Sequence, residues 1–235
     1  MDYTYFKNEF DIICKNLKIN YNDIRIYLEA FTHPSYANEN KHIKGIKDYE
    51  RIEFLGDALL DFIVGEYLYK TRKDDEGSMT KLRAKYVCED ANAYYTTELG
   101  LDKCIMVGVG ALKTGEGKKK SVLGNVFESF VGALYLDHDL KYVEEFFKNH
   151  IFPKIDANPM GYFVDYKSQL QEIIQAERID VPKYFVVNES GPAHNKSFEM
   201  IVRVGEIILG RGSGKSKEKA EQEAAKDALS KLATN

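Results

Sequence analysis

An all-α domain followed by a small α+β domain of order α-β-β-β-α is the fold class this sequence predicts, and three observations predict it. From about Tyr3 to Ile155 apolar residues recur at spacings of three and four, the period of helices packed on one face. Beyond Tyr184 the pattern changes to alternation, clearest in Phe198, Met200, Val202 and Val204. Between the two regimes lies Asp156-Ala157-Asn158-Pro159-Met160-Gly161, where Asn-Pro and Gly end a helix and read as a connector. We therefore expect a first domain over 1–157, a linker over 158–163 and a second domain over 164–235.

In the first domain, the punctuation falls at His33-Pro34, Gly77, Gly100 and the stretch from Gly108 to Gly117, and no strand is read between these breaks. The most informative run is Glu50-Arg51-Ile52-Glu53-Phe54-Leu55-Gly56-Asp57-Ala58-Leu59-Leu60-Asp61, whose carboxylates are set three, four and four residues apart. At about 3.6 residues per turn this spacing lines Glu50, Glu53, Asp57 and Asp61 along one side of an otherwise apolar rod. Like charges one turn apart repel, so the stripe lowers helix stability unless cations offset it. A divalent metal is one such cation, and a solvated polar face is the plainer alternative.

In the second domain, Tyr166, Leu170, Ile173 and Ile174 form the apolar face of a helix over 165–175, with Ser168, Gln171, Glu172 and Gln175 opposite. Strands follow over 184–188, 198–204 and 207–209, separated by Gly-Pro and Gly turns. A last helix, capped by Ser216, buries Ala220, Ala224, Ala225, Ala228, Leu229 and Leu232.

Composition bounds the function. At 235 residues, 44% hydrophobic and 30% charged, the chain is ordinary globular material. No apolar run approaches the ~18 residues of a membrane span, and the acidic, broken amino terminus does not read as a secretion signal, so a cytoplasmic protein without membrane contact is expected. Cys14, Cys88 and Cys104 are too few and too scattered for a disulfide framework or a thiolate zinc site, and read as reduced core residues. The net charge of −4 lies wholly before residue 160, since 11 Lys and Arg balance 11 Asp and Glu beyond it. Lys215, Lys217 and Lys219 cluster where the last helix begins. Cations oppose the dipole there, and backbone N–H groups already favour phosphate. Gly214-Lys215-Ser216 lacks the first glycine of a nucleotide-binding loop, Leu209 standing in its place, which excludes a nucleotide cofactor.

The segments DYKSQLQE, GPAHNKSFE and KSKEKAEQEAA, in this order and spacing, resemble the three recognition regions of the double-stranded-RNA-binding domain. The resemblance implies minor-groove contacts from Ser168, Gln171, Glu172 and Gln175, a second contact from His194, and phosphate contacts from Lys215, Lys217 and Lys219. Glu218 departs from the family's usual Lys or Arg, which implies weaker affinity or a shallower salt dependence.

ERIEFLGDALLD closely resembles the signature of ribonuclease III. FTHPSYANE before it, DEGSMTKLR after it and VLGNVFESFVGALYLD over 122–137 are similar to that family's flanking segments and second catalytic helix. The resemblance covers nearly the whole chain. It implies Mg²⁺, with Mn²⁺ as a substitute, held by Glu53, Asp57 and Glu128 and by the position three before Glu128, with Asp57 and Glu128 catalytic. Such cations activate water and neutralise charge on phosphorus. That fourth position is Asn125, an amide where the family has a carboxylate. An amide oxygen can ligate Mg²⁺ but adds no charge, so metal affinity should be weaker. A working natural variant, an engineered substitution that traps substrate and a weakened enzyme all fit that residue.

The resemblance further implies that Glu50 and Glu76 support the cleft or the dimer seam and that Phe54 enters a pocket of a second subunit. Asp61 reads as a bystander and His33 as structural. Lys113-Thr114-Gly115-Glu116-Gly117-Lys118-Lys119-Lys120 reads as a flexible basic loop able to touch RNA backbone. The expectation is a homodimeric endoribonuclease hydrolysing double-stranded RNA to 5′-phosphate and 3′-hydroxyl ends, in ribosomal-RNA precursor and messenger processing. The alternative is a double-stranded-RNA-binding protein whose cleavage is impaired by Asn125.

Overall fold

The computed structural model describes residues 3–157, 166–176, 181–192 and 196–232. The chain forms two compact units, 1–163 and 164–235. Residue His194 and the expected linker 158–163 lie outside the described residues.

The first unit runs through α1 (Tyr3–Leu17), α2 (Ile24–Ala30), α3 (Pro34–Glu39), α4 (Glu50–Thr71), α5 (Glu76–Val87), α6 (Glu89–Glu98), α7 (Val109–Lys113), α8 (Lys120–Asp137), α9 (Leu140–His150) and α10 (Phe152–Ala157). Its described residues hold no strand beyond one isolated bridge between Thr32 and Met106. Helix α8 is the axis, packed against α2, α4, α6 and α9. Aromatic rings knit α1, α2 and α8 together, with Phe10 and Tyr27 at 4.8 Å and the ring of Phe31, just past α2, at 5.9 Å from Phe130.

Buried polar groups fix α8 along its length. The Thr96 hydroxyl donates to the Leu123 carbonyl at 2.7 Å and the Ser129 hydroxyl to the Ala30 carbonyl at 2.6 Å. At its end the Asp137 carboxylate accepts the backbone N–H groups of Asn22 and Asp23 at 2.7 and 2.8 Å. His33 is structural: its ring Nδ1 caps α3 by accepting the Ser35 N–H at 3.1 Å.

Two expectations need correction in this unit. The basic loop is shorter than 113–120 and built of turns: α7 ends at Lys113, Glu116–Lys118 form a 3-10 turn, and Lys120 opens α8. Lys119 pairs with Glu116 at 2.8 Å and Lys120 with Asp90 at 2.5 Å, so part of the charge is spent locally. The cysteines are free, yet only Cys14 and Cys104 are core residues; Cys88 is half-buried at the junction of α5 and α6.

In the second unit α11 (Tyr166–Ala176) and α12 (Lys217–Leu232) cover one face of an antiparallel sheet of order β1 (Lys183–Ser190), β2 (Ser197–Val204) and β3 (Ile207–Gly214). Leu170, Ile174, Val202, Val204, Ala224, Ala225 and Ala228 form the core between them. Ile173, expected on the apolar face of α11, is 43% exposed instead. Strand β3 runs five residues past the expected end at Leu209, because Gly210, Gly212 and Gly214 are strand residues against which α12 presses directly. A β-carbon on Gly212 would meet the Ala224 nitrogen at 2.2 Å. Glycine there serves a close helix and sheet approach, not a turn.

Candidate functional site

The expected acidic stripe is on one helix. Helix α4 carries Glu50 and Asp57 exposed and Glu53 and Asp61 half-buried. Its opposite side goes into the core through Ile52, Gly56, Leu60 and Ile63. At Gly56 its backbone lies directly on the backbone of Glu128 in α8, and at Gly132 the α8 backbone lies on Ile52. This crossing sets Asp57, the residue after Gly56, beside Glu128. It also brings Asn125, one turn before Glu128, to the same end of α8.

The electrostatics record the convergence. Burial, then the charges of Glu50, Asp57 and Asp48, push Glu53 up to about 7. Burial, then Asp57, push Glu128 up to about 7, against the stabilising hydrogen bond from Asn92, with Glu53 and Glu89 adding to the rise. Carboxylates raised by burial and by neighbouring acidic groups mark a place where a proton or a cation is favoured. Among the described residues no three His, Cys, Asp or Glu side chains stand close enough to hold a metal ion as they are placed. Glu53, Asp57 and Glu128 nevertheless lie near enough for Asp57 and Glu53 to act on the charge of Glu128, and hard oxygen donors of this kind, with the Asn125 amide, are the type that suits Mg²⁺ or Mn²⁺.

Two further residues frame this cleft. Asn92 on α6 is fully buried and donates Nδ2–H to Glu128 Oε1 at 2.9 Å and to the Val87 carbonyl at 3.1 Å. Tyr49, the residue preceding α4, is 3% exposed, and its hydroxyl is hydrogen-bonded by the Asn125 side chain, while burial pushes it up to about 12. Sequence reading overlooked both. The one available signal was Asn92 and Thr96, polar residues one turn apart among Ala91, Ala93 and Tyr95.

The other sequence-predicted residues of the first unit fall elsewhere. Asp61 pairs with Arg83 at 3.4 Å and not with the cleft. Glu76 opens α5, accepts the Thr80 hydroxyl at 3.2 Å, and lines a groove of about 420 Å³ together with Phe62, Tyr69, Met79 and Arg83. Phe54, next to Glu53, is 81% exposed, and Phe62 and Tyr69 are bare further along α4.

In the second unit Ser168, Gln171, Glu172 and Gln175 are all exposed on one side of α11 while Leu170 and Ile174 are buried. Lys215, Lys217 and Lys219 are exposed at the start of α12, whose N-cap is Ser216 accepting the Lys219 N–H at 3.2 Å. Lys217 extends over the Phe198 ring at 5.9 Å. Lys215 and Lys219 share a surface concavity with Arg211 and Lys226, which enlarge the basic surface beyond the expected residues. Lys226 follows Lys219 by two turns, a spacing visible in the sequence.

Comparison with known proteins matches the same two parts. The family described as Ribonuclease-III-like matches residues 23–155, and the double-stranded RNA binding motif matches residues 166–232. Ribonuclease 3 of Bacillus cereus (strain G9842) is 43% identical over 230 residues, covering 97% of this chain and 94% of that protein. Ribonuclease 3 of Listeria welshimeri is 43% identical over 226 residues, covering 96% and 98%. Among solved structures, a nuclease domain of ribonuclease III from Campylobacter jejuni superposes with a TM-score of 0.54 at 32% identity, over 61% of this chain and 94% of that one. A second structure of that domain, described for flexibility in its region involved in dimer formation, gives 0.52 at 34% identity, over 60% and 96%.

Proposed function

The chain belongs to the ribonuclease III family, joining that nuclease unit to a double-stranded-RNA-binding motif, and on this premise we propose how it works. It is an endoribonuclease of double-stranded RNA, and a protein that only binds RNA is not favoured by relatives that are 43% identical over 97% of the chain. We take 1–157 as the catalytic domain, 158–163 as the linker and 164–235 as the RNA-binding domain.

The observation that carries the reading is the contact of Gly56 with the Glu128 backbone, which sets carboxylates of two helices against each other. Glu53, Asp57 and Glu128 would hold Mg²⁺, or Mn²⁺ in its place, with Asn125 giving a neutral oxygen. Bound there, the cation supplies an activated water and offsets the charge that builds on phosphorus. Glu53 and Glu128, each near 7, release protons as the site fills. Asp57 stands exposed at the mouth, where substrate approaches, and Glu50 adds negative potential. Hydrolysis leaves 5′-phosphate and 3′-hydroxyl ends.

The second unit grips the duplex. Ser168, Gln171, Glu172 and Gln175 meet a minor groove, and Lys215, Lys217 and Lys219 meet phosphates. We assign His194 the second groove contact by its place in the sequence. The bare side of α4 around Phe54 is the seam of a homodimer, with Phe54 seated on the partner and Glu76 near the seam. Ribosomal-RNA precursors and structured messages are the substrates we assign. The cytoplasm is the compartment, consistent with free cysteines and with no described helix long and apolar enough to cross a membrane.

The decisive assay compares cleavage of a long RNA duplex in Mg²⁺ by this chain, Asn125→Asp and Glu128→Ala. Cleavage by the chain, equal or greater by Asn125→Asp, and none by Glu128→Ala with duplex binding intact, is expected. Unchanged turnover in Glu128→Ala refutes the cation assignment.

A further inference from the structure

The Asn92 side chain has an unusual hydrogen-bond balance. Both partners of its Nδ2, the Val87 carbonyl and the Glu128 carboxylate, are acceptors, so the amide orientation is fixed without ambiguity. Its Oδ1 is buried and meets no donor among the described residues. A buried acceptor left without a partner costs stability, which the two bonds donated by Nδ2 offset. This side chain stands at the place on α6 that reaches the cleft carboxylate of α8.

We propose that Asn92 is a positioning residue for Glu128, holding the carboxylate from beneath so that its other oxygen stays turned to the cleft for the cation. The inference rests on the cation reading of the cleft given above. Three features carry it. Asn92 makes the one side-chain hydrogen bond to Glu128 among the described residues. The leading charge effects on Glu128 come from Asp57, Glu53 and Glu89, acidic groups that repel its carboxylate. Asn92 is itself anchored, through Val87 and through its full burial between Ala91 and Ala93, so it does not yield when Glu128 moves. Without it the carboxylate is free to rotate away from its neighbours, as like charges favour. Groups that orient ligands in this way act on metal affinity and not on substrate binding.

The test uses the full chain and three readouts: thermal unfolding in chelator, Mn²⁺ binding by calorimetry without RNA, and duplex cleavage at varied Mg²⁺. For Asn92→Leu, which leaves the Val87 carbonyl and the Glu128 carboxylate without their donor, we expect a lower unfolding temperature, Mn²⁺ affinity lower by about tenfold, and kcat lowered with KM for duplex unchanged. A merely structural asparagine predicts the lower unfolding temperature with Mn²⁺ affinity intact, and that result overturns the proposal. Should Asn92→Leu not fold, the same titration on Asn92→Ala decides, an unchanged affinity again overturning it. Glu128→Ala separates the two levels. If it loses Mn²⁺ binding while the Asn92 variants keep it, the positioning role is wrong and the cleft reading stands. If Glu128→Ala binds Mn²⁺ as well as the parent, both fall.

Discussion

A β-carbon built on Gly56 would stand 1.8 Å from the carbonyl oxygen of Glu128, closer than any two such atoms can approach. Helices α4 and α8 therefore touch through bare backbone at the height of the cleft. Gly56→Ala must push them apart, and overpacking of this kind costs about 1–3 kcal/mol. Chemical denaturation should show a lower midpoint, with weaker Mn²⁺ binding as the carboxylates separate; an unaltered midpoint contradicts the close crossing.

The raised carboxylates give a pH dependence with a definite sign. Glu53 and Glu128 sit at about 7 in the folded protein against an ordinary 4.5, so folding takes up protons between those values. Their contribution to stability is present below about pH 4.5 and is lost as pH rises through about 7. Without cation, the parent should lose more stability than Glu128→Gln between about pH 5 and pH 8. The variant is the reference because His33 and His150, both lowered by burial, work in the opposite sense below 6.5. Thermal scans across this range check it, and parallel curves for the two proteins refute it. In the same window Mn²⁺ affinity should rise with pH, since the cation competes with those protons.

Phe54, 81% exposed beside Glu53, has no core role to lose. Phe54→Asp should leave thermal unfolding of the monomer nearly unchanged and shift sedimentation from dimer to monomer. A dimer of undiminished affinity places the seam elsewhere.

Duplex binding should weaken steeply with salt, and each of Lys217→Ala and Lys219→Ala should reduce the slope of log affinity against log salt by about one. Glu218→Lys should steepen it. The measurement is a filter-binding series at several salt concentrations, and slopes identical in all variants argue against phosphate contact by α12.

The sequence was most legible where one chemical type repeats at one period. The carboxylates at 50, 53, 57 and 61 announce the helix and its acidic side, and the alternation from Phe198 to Val204 announces β2. Division of that side into cleft and bystander was less visible, since Asp61 is settled by Arg83, a residue from another helix. Strand β3 was cut short because Gly210, Gly212 and Gly214 carry no strand preference of their own; α12 decides their state. Asn92 escaped notice for a similar reason. A single polar residue has no period, and its partner stands 36 positions away.

Helix α4 presents Ile52, Gly56, Leu60 and Ile63 to the core, Glu53 and Asp57 to the cleft, and Phe54, Phe62 and Tyr69 to the outside. A helix ordinarily keeps a wide face on which substitutions drift freely, and in the first half of this one that face narrows to exposed positions such as Arg51 and Ala58. In a scan of all single substitutions, the first half of α4 should therefore be the least tolerant segment of the chain. The intolerance should come in three separable kinds, read as lost folding at one set of positions, lost turnover at the second and lost self-association at the third.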